Sequence, residues 1–427
     1  MSLADNVEYL RRLRELNGIT GFGEFHGQPR ATPDTPLIEI ERFGSNPGKL
    51  KMFSYVPARR QPLMPLVVVL HGCGQSAAEY DLGAGWSTLA KHYGFALVLP
   101  EQQRSNNMQR CFNWFQSEDI ARGEGEVASI RQMIARMVAD RAIDQRRIFV
   151  TGLSAGGAMT MAMLSTYPEL FAGGAVIAGL PFGVARNVRD AVMQMRMPSP
   201  RQGKELGDLV RHASSHRGRW PKLSVWHGTA DRTVHPDNAD EIVKQWLDLH
   251  RLPLGPMAES DVDGYPRQVW WNADGETVVE SYTITDMAHG TPLGLAEYDK
   301  RFGKQGPFLL EAGISSSYHI AKFFGVTEWI RQPKSATESP SAKLIPLVSP
   351  ITAALPSLGK MLWPPKSADA KSADDQAPEV KAPAQKPASA TANATRTKAE
   401  PKRDPRRAPI DVAGVIERAL QAAGLKK

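Results

Sequence analysis

The segment Val150-Thr-Gly152-Leu-Ser154-Ala-Gly156-Gly157 constrains the fold more than any other part of this chain. It holds a Gly-x-Ser-x-Gly pentapeptide directly after an apolar run, Arg147–Thr151, and directly before a helical pattern, Ala155–Thr166. A serine at such a strand-to-helix turn is forced into a strained backbone conformation with its hydroxyl outward. The residues two before and two after must be small, because the strand and helix backbones close on them. The helix N-terminus then directs free N–H groups toward developing negative charge. Without its flanks the pentapeptide carries little weight, since glycine-rich chains produce it by chance. With them it reads as a nucleophile elbow, against the plain alternative of a Gly-rich turn without chemistry.

The rest of the pattern agrees with that turn. Pro65–Leu70 is an apolar run of the kind buried in a parallel sheet, and Phe95–Leu99, Ala175–Ala178 and Leu223–Trp226 repeat it. Helical patterns lie between, at Trp86–Tyr93, Glu124–Asp140 and Asn238–His250. Alternation of this sort predicts an α/β fold with a mostly parallel, doubly wound sheet. Two alternating strands, Leu37–Arg42 and Leu50–Val56, lead in around the turn Ser45-Asn46-Pro47-Gly48. Arg267–Trp271 and Thr277–Ile284 flank Asn272–Gly275 and predict a hairpin. Joined to the elbow, the pattern predicts an α/β-hydrolase fold.

A serine hydroxyl needs a base, and the base needs an orienting acid. In this fold they follow in the order Ser, Asp or Glu, His. Asp231 stands in the loop after Leu223–Trp226, and His289 stands just past Tyr282–Ile284. Asp237 is the competing acid, but it sits where a helix begins, and an N-terminal cap is its plainer role. His235 is the rival base. His71 and His227 precede glycines at strand ends and are expected to bond the backbone. His319 falls in what reads as the last helix, in a packing or supporting role. An oxyanion hole requires two N–H donors. Ala155, after the nucleophile, offers one, and Cys73 in the turn His71-Gly-Cys-Gly-Gln75 offers the other. His71 and Cys73 have no partner pair at zinc spacing, so no metal site is expected.

Seven ordered segments carry a resemblance: His71–Gln75, Gly85–Leu89, Leu99–Gln102, Cys111–Phe115, Gly152–Gly156, Trp226–Asp231 and Met287–Pro292. Together, from about Phe43 to Phe324, they resemble the esterase family of polyhydroxybutyrate depolymerases. The resemblance implies enzymes that cut polyester or small acyl and feruloyl esters without metal or cofactor. It implies Ser154, Asp231 and His289 as the triad and the Cys73 amide as an oxyanion donor. It places Trp114 near the site as a substrate-contact ring. It also brings Cys73 and Cys111, the two cysteines of the chain, close enough to bond. A peptidase or amidase with the same triad and a granule-associated interaction protein are the rival readings.

The ends read differently. Residues 1–35 form a lead-in, with an amphipathic helix expected over 2–17 between Ser2 and Gly18. The catalytic domain is expected over 36–331. Residues 332–408 turn rich in Ser, Ala, Pro and Lys, a composition that cannot bury enough surface to fold. Within them lies Leu344–Trp363, apolar but interrupted by Pro346, Pro350 and Pro356. Residues 409–427 end the chain with an amphipathic helix at Asp411–Ala423. The net charge of +7 is partly local to Lys366–Arg407, which reads as a solvated basic tail, so no nucleic-acid partner is expected. The tail is a candidate for contact with a polymer granule. The first residues lack the apolar core of a signal peptide, and no run of 18 apolar residues occurs. The expectation is therefore a cytoplasmic enzyme, with reduced cysteines and no membrane span, although the family resemblance also implies secreted enzymes.

Overall fold

A computed structural model describes residues 35–58, 63–294 and 302–327. Its strands are β1 (Ile38–Glu39), β2 (Lys51–Tyr55), β3 (Met64–Leu70), β4 (Ala96–Glu101), β5 (Ile143–Leu153), β6 (Gly173–Ile177), β7 (Lys222–Gly228), β8 (Ala258–Val262), β9 (Tyr265–Trp271), β10 (Thr277–Ile284), β11 (Thr291–Leu293) and β12 (Leu309–Glu311). Its helices are α1 (Ala77–Ala84), α2 (Trp86–Tyr93), α3 (Ser117–Ile120), α4 (Gly125–Asp140), α5 (Ala155–Thr166), α6 (Val188–Arg196), α7 (Gly203–Arg211), α8 (Asp237–His250) and α9 (Ser316–Phe323).

Ten strands form one sheet in the order β1-β2-β4-β3-β5-β6-β7-β10-β9-β8. The stretch from β4 through β10 is parallel, and antiparallel pairs close both edges. Every residue of β3 is buried, as expected of a strand covered on both faces. Its side chains alternate: Leu66, Val68 and Leu70 enter one core, and Val67 and Val69 enter the other. The first core takes α4, α5 and α8 through residues such as Ile130, Met159 and Trp246. The second takes α1, α2 and α9 through Tyr80, Trp86 and Ile320. This is the doubly wound α/β-hydrolase architecture that the apolar runs predict. Helix α5 is buried along its whole length, so it has no polar face.

The hairpin is present as β9 and β10, with a bulge between Thr277 and Val279. Strand β10 also pairs in parallel with β7, so the hairpin continues the central sheet. Among the described residues no helix is long and apolar enough to cross a membrane. The amphipathic helix expected over 2–17, the tract 332–408 with Leu344–Trp363, and the helix at Asp411–Ala423 lie outside the described residues.

Candidate active site

Parallel strands deliver their following loops to one edge of the sheet, and ligand sites in open α/β sheets lie at that carboxyl edge. Ser154 follows β5, the Asp231 loop follows β7, and the His289 loop follows β10. The Ser154 backbone adopts φ 57° and ψ −117°, a conformation sparsely used by residues other than glycine. Packing holds it there. The Ser154 amide donates to Ile177 O at 2.9 Å, and Ser154 O accepts from the Ala158 amide at 2.9 Å, which starts α5. The flanking glycines have no room to be anything else. A Cβ on Gly152 would sit 2.4 Å from Gly156 backbone atoms, and one on Gly156 would sit 2.4 Å from Leu70 O.

His289 and Asp231 meet across a gap of 58 residues, with Nδ1 2.7 Å from Asp231 Oδ2. Asp231 Oδ1 accepts from the Thr233 and Val234 amides at 2.8 and 2.9 Å. Burial alone would raise the Asp231 carboxyl, but hydrogen bonds from His227 and His289 outweigh it and hold the acid well below the usual carboxylate range. The imidazole that donates through Nδ1–H to a carboxylate keeps Nε2 as a free base. Among the described residues no hydrogen bond joins the Ser154 hydroxyl to His289, a link that in free enzymes often tightens only with substrate.

The turn His71–Gln75 lies against the elbow, where a Cβ on Gly72 would sit 3.2 Å from Leu153 Cδ2. The Gly72 amide donates to Gln75 Oε1 at 2.9 Å, and the Gly74 amide donates to Gln109 O at 2.7 Å. His71 bonds the backbone, as its position predicts. Its Nε2 accepts from the Gln102 amide at 3.0 Å, which leaves Nδ1–H to donate to Gly72 O at 2.8 Å. That bond fixes the Gly72–Cys73 peptide, whose N–H points opposite to its carbonyl. Burial pushes the His71 imidazole down to about 4, so the ring stays neutral in this role. The Cys73 and Ala155 amides are the two candidate oxyanion donors.

Two expectations need correction. Cys73 and Cys111 are joined as a disulfide, not held as thiols, and the bond ties the His71–Gln75 turn to the segment that carries Trp114. Asp237 is not a side-chain cap: it is the first residue of α8, and Pro236 precedes it at the cap position. Trp114 is 7% exposed and packs in the first core, edge-on to Phe115. His319 sits in α9 as expected and pairs with Asp263 at 2.8 Å. The rival base His235 lies 3.4 Å from Asp237, whereas the ring bonded to Asp231 Oδ2 at 2.7 Å is that of His289.

Sequence reasoning missed a buried polar group behind the turn. Glu126, in the first turn of α4, accepts from the Asn113 amide at 2.9 Å and from the Gln102 side chain. Burial, reinforced by Asp119, pushes its carboxyl up to about 8. The only available hint was a glutamate on an otherwise apolar helix start.

A strained serine at a strand-to-helix turn and a histidine on a buried aspartate, at one edge of a mostly parallel sheet, give the chain the architecture of an α/β-hydrolase. The sequence model of the family described as esterase PHB depolymerase matches residues 52–253. Over 291 residues the chain is 44% identical to poly(3-hydroxyalkanoate) depolymerase C of Paucimonas lemoignei, which covers 68% of this chain and 70% of that one. It is 32% identical over 241 residues to feruloyl esterase B of Thermothelomyces thermophilus, covering 55% of this chain and 80% of the other. Among solved structures, the acetyl xylan esterase from Aspergillus awamori has a TM-score of 0.58 at 23% identity, over 68% of this chain and 99% of that one, a likeness of fold. The chain belongs to the esterase PHB depolymerase family and is a carboxylic ester hydrolase.

Proposed function

We propose that the enzyme hydrolyses 3-hydroxyalkanoate esters, as polymer or oligomer, through an acyl-enzyme on Ser154. The observation that carries this is the 2.7 Å bond from His289 to buried Asp231, at the same sheet edge as the positive-φ serine. His289 Nε2 takes the Ser154 proton as Oγ attacks the ester carbonyl. The imidazolium is balanced by Asp231, and the tetrahedral oxyanion rests on the Cys73 and Ala155 amides. His289 then protonates the leaving alcohol. Water, deprotonated by the same nitrogen, releases the hydroxy acid and restores the serine.

Similarity to poly(3-hydroxyalkanoate) depolymerase C supports the acyl class, and similarity to feruloyl esterase B keeps aromatic acyl esters as the second reading. The Cys73–Cys111 disulfide supports work in an oxidising compartment rather than the cytoplasm. Residues 344–363 and 411–423 are proposed to direct the enzyme to a polymer surface, because no residue of the proposed machinery lies beyond Arg331. Fluorophosphonate labelling of the full chain, with Ser154→Ala as control, tests the nucleophile. A panel of 3-hydroxybutyrate oligomers, short acyl esters, feruloyl esters and amorphous granules then tests the substrate. Labelling that survives Ser154→Ala defeats the mechanism. Turnover confined to feruloyl esters defeats the substrate assignment. Truncation after Arg331 should spare soluble-ester turnover and lower granule binding.

A further inference from the structure

Asp231 is approached by two histidines, not one. His289 reaches Oδ2 from the loop after β10, and His227, one residue from the end of β7, comes within 3.3 Å of the same oxygen. The His227 ring is buried, and its Nε2 also lies 2.9 Å from Val234 O. A carbonyl oxygen can only accept, so Nε2 carries the hydrogen and shares it between Val234 O and Asp231 Oδ2. Nδ1 is then a bare acceptor, and it is buried with no partner. An orphan of that kind is destabilising, and an apolar side chain of similar size would avoid it. Closing the loop onto Val234 O is one return on that cost. The second is the shared oxygen.

We propose that His227 is a positioning residue for Asp231: its Nε2–H holds the carboxylate in line with His289 and draws charge from the oxygen the two histidines share. This rests on the triad reading above. His227 thereby limits how strongly Asp231 stabilises the His289 imidazolium. The direct donors to the carboxylate are His227, His289, Thr233 and Val234. Arg232, His235 and Asp237 line the cleft beside it. Asp240, in the first turn of α8, is within electrostatic reach of His227, and Asp286 belongs to the His289 loop, where its amide donates to Thr229 Oγ1. None of these replaces the Nε2–H.

The test is the pH profile of kcat/KM on a soluble ester for wild type, His227→Leu, His227→Gln and His289→Ala, each with its melting temperature. Without the His227 donor, more negative charge is left for His289, the imidazolium gains stability, and the acid limb moves up by about 0.5–1 unit. Loss of one hydrogen bond to a charged group should also lower kcat/KM at the optimum about tenfold. His227→Gln returns an N–H at the same reach and should recover both. An unmoved limb in His227→Leu, or His227→Gln no better than His227→Leu at matched stability, overturns the role. Should His227→Leu fail to fold, His227→Asn, whose amide is too short to reach Oδ2, takes its place in the comparison. Turnover surviving in His289→Ala would defeat the triad reading beneath it. An inert His289→Ala with an unmoved His227→Leu limb overturns only the His227 role.

Discussion

Gly156 lies against Leu70 so closely that a Cβ on it would sit 2.4 Å from the Leu70 carbonyl oxygen and 2.5 Å from that of His71. The contact joins the two halves of the proposed site, since Leu70 ends β3 just before the His71–Gln75 turn and Gly156 is the second residue of α5, two after the proposed nucleophile. Backbone meets backbone there, so no side chain can move aside. Gly156→Ala is therefore expected to cost about 3 kcal/mol or more, at the upper end of overpacking effects, and to push α5 away from the turn. Gly275→Ala, in open space but at φ 78°, should lose far less and keep activity. Thermal melts of the two variants decide it: a Gly156→Ala protein with wild-type melting temperature and turnover would contradict the packing.

Asp231 and Asp237 make opposite predictions under one substitution. Asp231 accepts from His289 and two amides in a buried setting, whereas the Asp237 side chain is 65% exposed at the start of α8. Asp231→Asn should lower kcat about 10⁴-fold, because the amide leaves the imidazole in the wrong tautomer and its charge unbalanced. Asp237→Asn should stay within a few-fold of wild type. Equal losses at equal stability would show that Asp231 is not the acid.

The serine and histidine should behave as one unit. Ser154→Ala or His289→Ala alone is expected to remove several orders of magnitude from kcat with the fold intact, and the double variant should be little worse than either. Losses that multiply would mean that the two act in separate steps.

Cys73 and Cys111, separated by 38 positions, form a disulfide, so protein denatured without reductant should titrate no free thiol. In the loop-entropy view a bridge of that span contributes about 4 kcal/mol, so reduction should lower the melting temperature measurably. Two free thiols in protein purified under air would contradict the bond.

The sheet was legible because its central strands are buried on both faces and read as apolar runs, and Trp86–Tyr93 and Ala155–Thr166 match α2 and α5 residue for residue. Other elements escaped for identifiable reasons. Helix α6 buries only Ala191, with Met195 half-buried beside it, and exposes Val188 and Met193, so its apolar residues fall on both sides and its core-facing stripe is narrow. Strand β8, Ala-Glu-Ser-Asp-Val, is exposed and exists through pairing with β9. Helix α1 did carry a signal, the reciprocal Ser76–Glu79 capping box. In the site, Ser154, Asp231 and His289 could be chosen because chain order and loop position restrict the candidates. Trp114 and Cys111 rested on resemblance, which located their segment but not the burial of the ring. His227 against Asp231 and Glu126 against Gln102 are tertiary contacts of buried polar groups, and no local pattern encodes a partner that only folding supplies.

Glu126 makes the last prediction, one of slope. Its carboxyl is pushed from 4.5 up to about 8 in the folded protein, chiefly by burial. A group whose folded value is raised holds its proton in the native state after the unfolded chain has released it. Its stabilising contribution is therefore complete below about pH 4.5 and is lost as pH rises toward 8. Unfolding free energy should show a falling component across that window, superposed on the other groups. Glu126→Gln cannot titrate, so it should flatten the decline, whatever it does to absolute stability by turning an amide toward the Gln102 and Asn113 donors. Denaturant melts of both proteins at pH 5, 6.5 and 8 give the comparison. Parallel curves would mean that Glu126 titrates alike in the folded and unfolded chain, and that the carboxylate behind the oxyanion turn is charged throughout the working range.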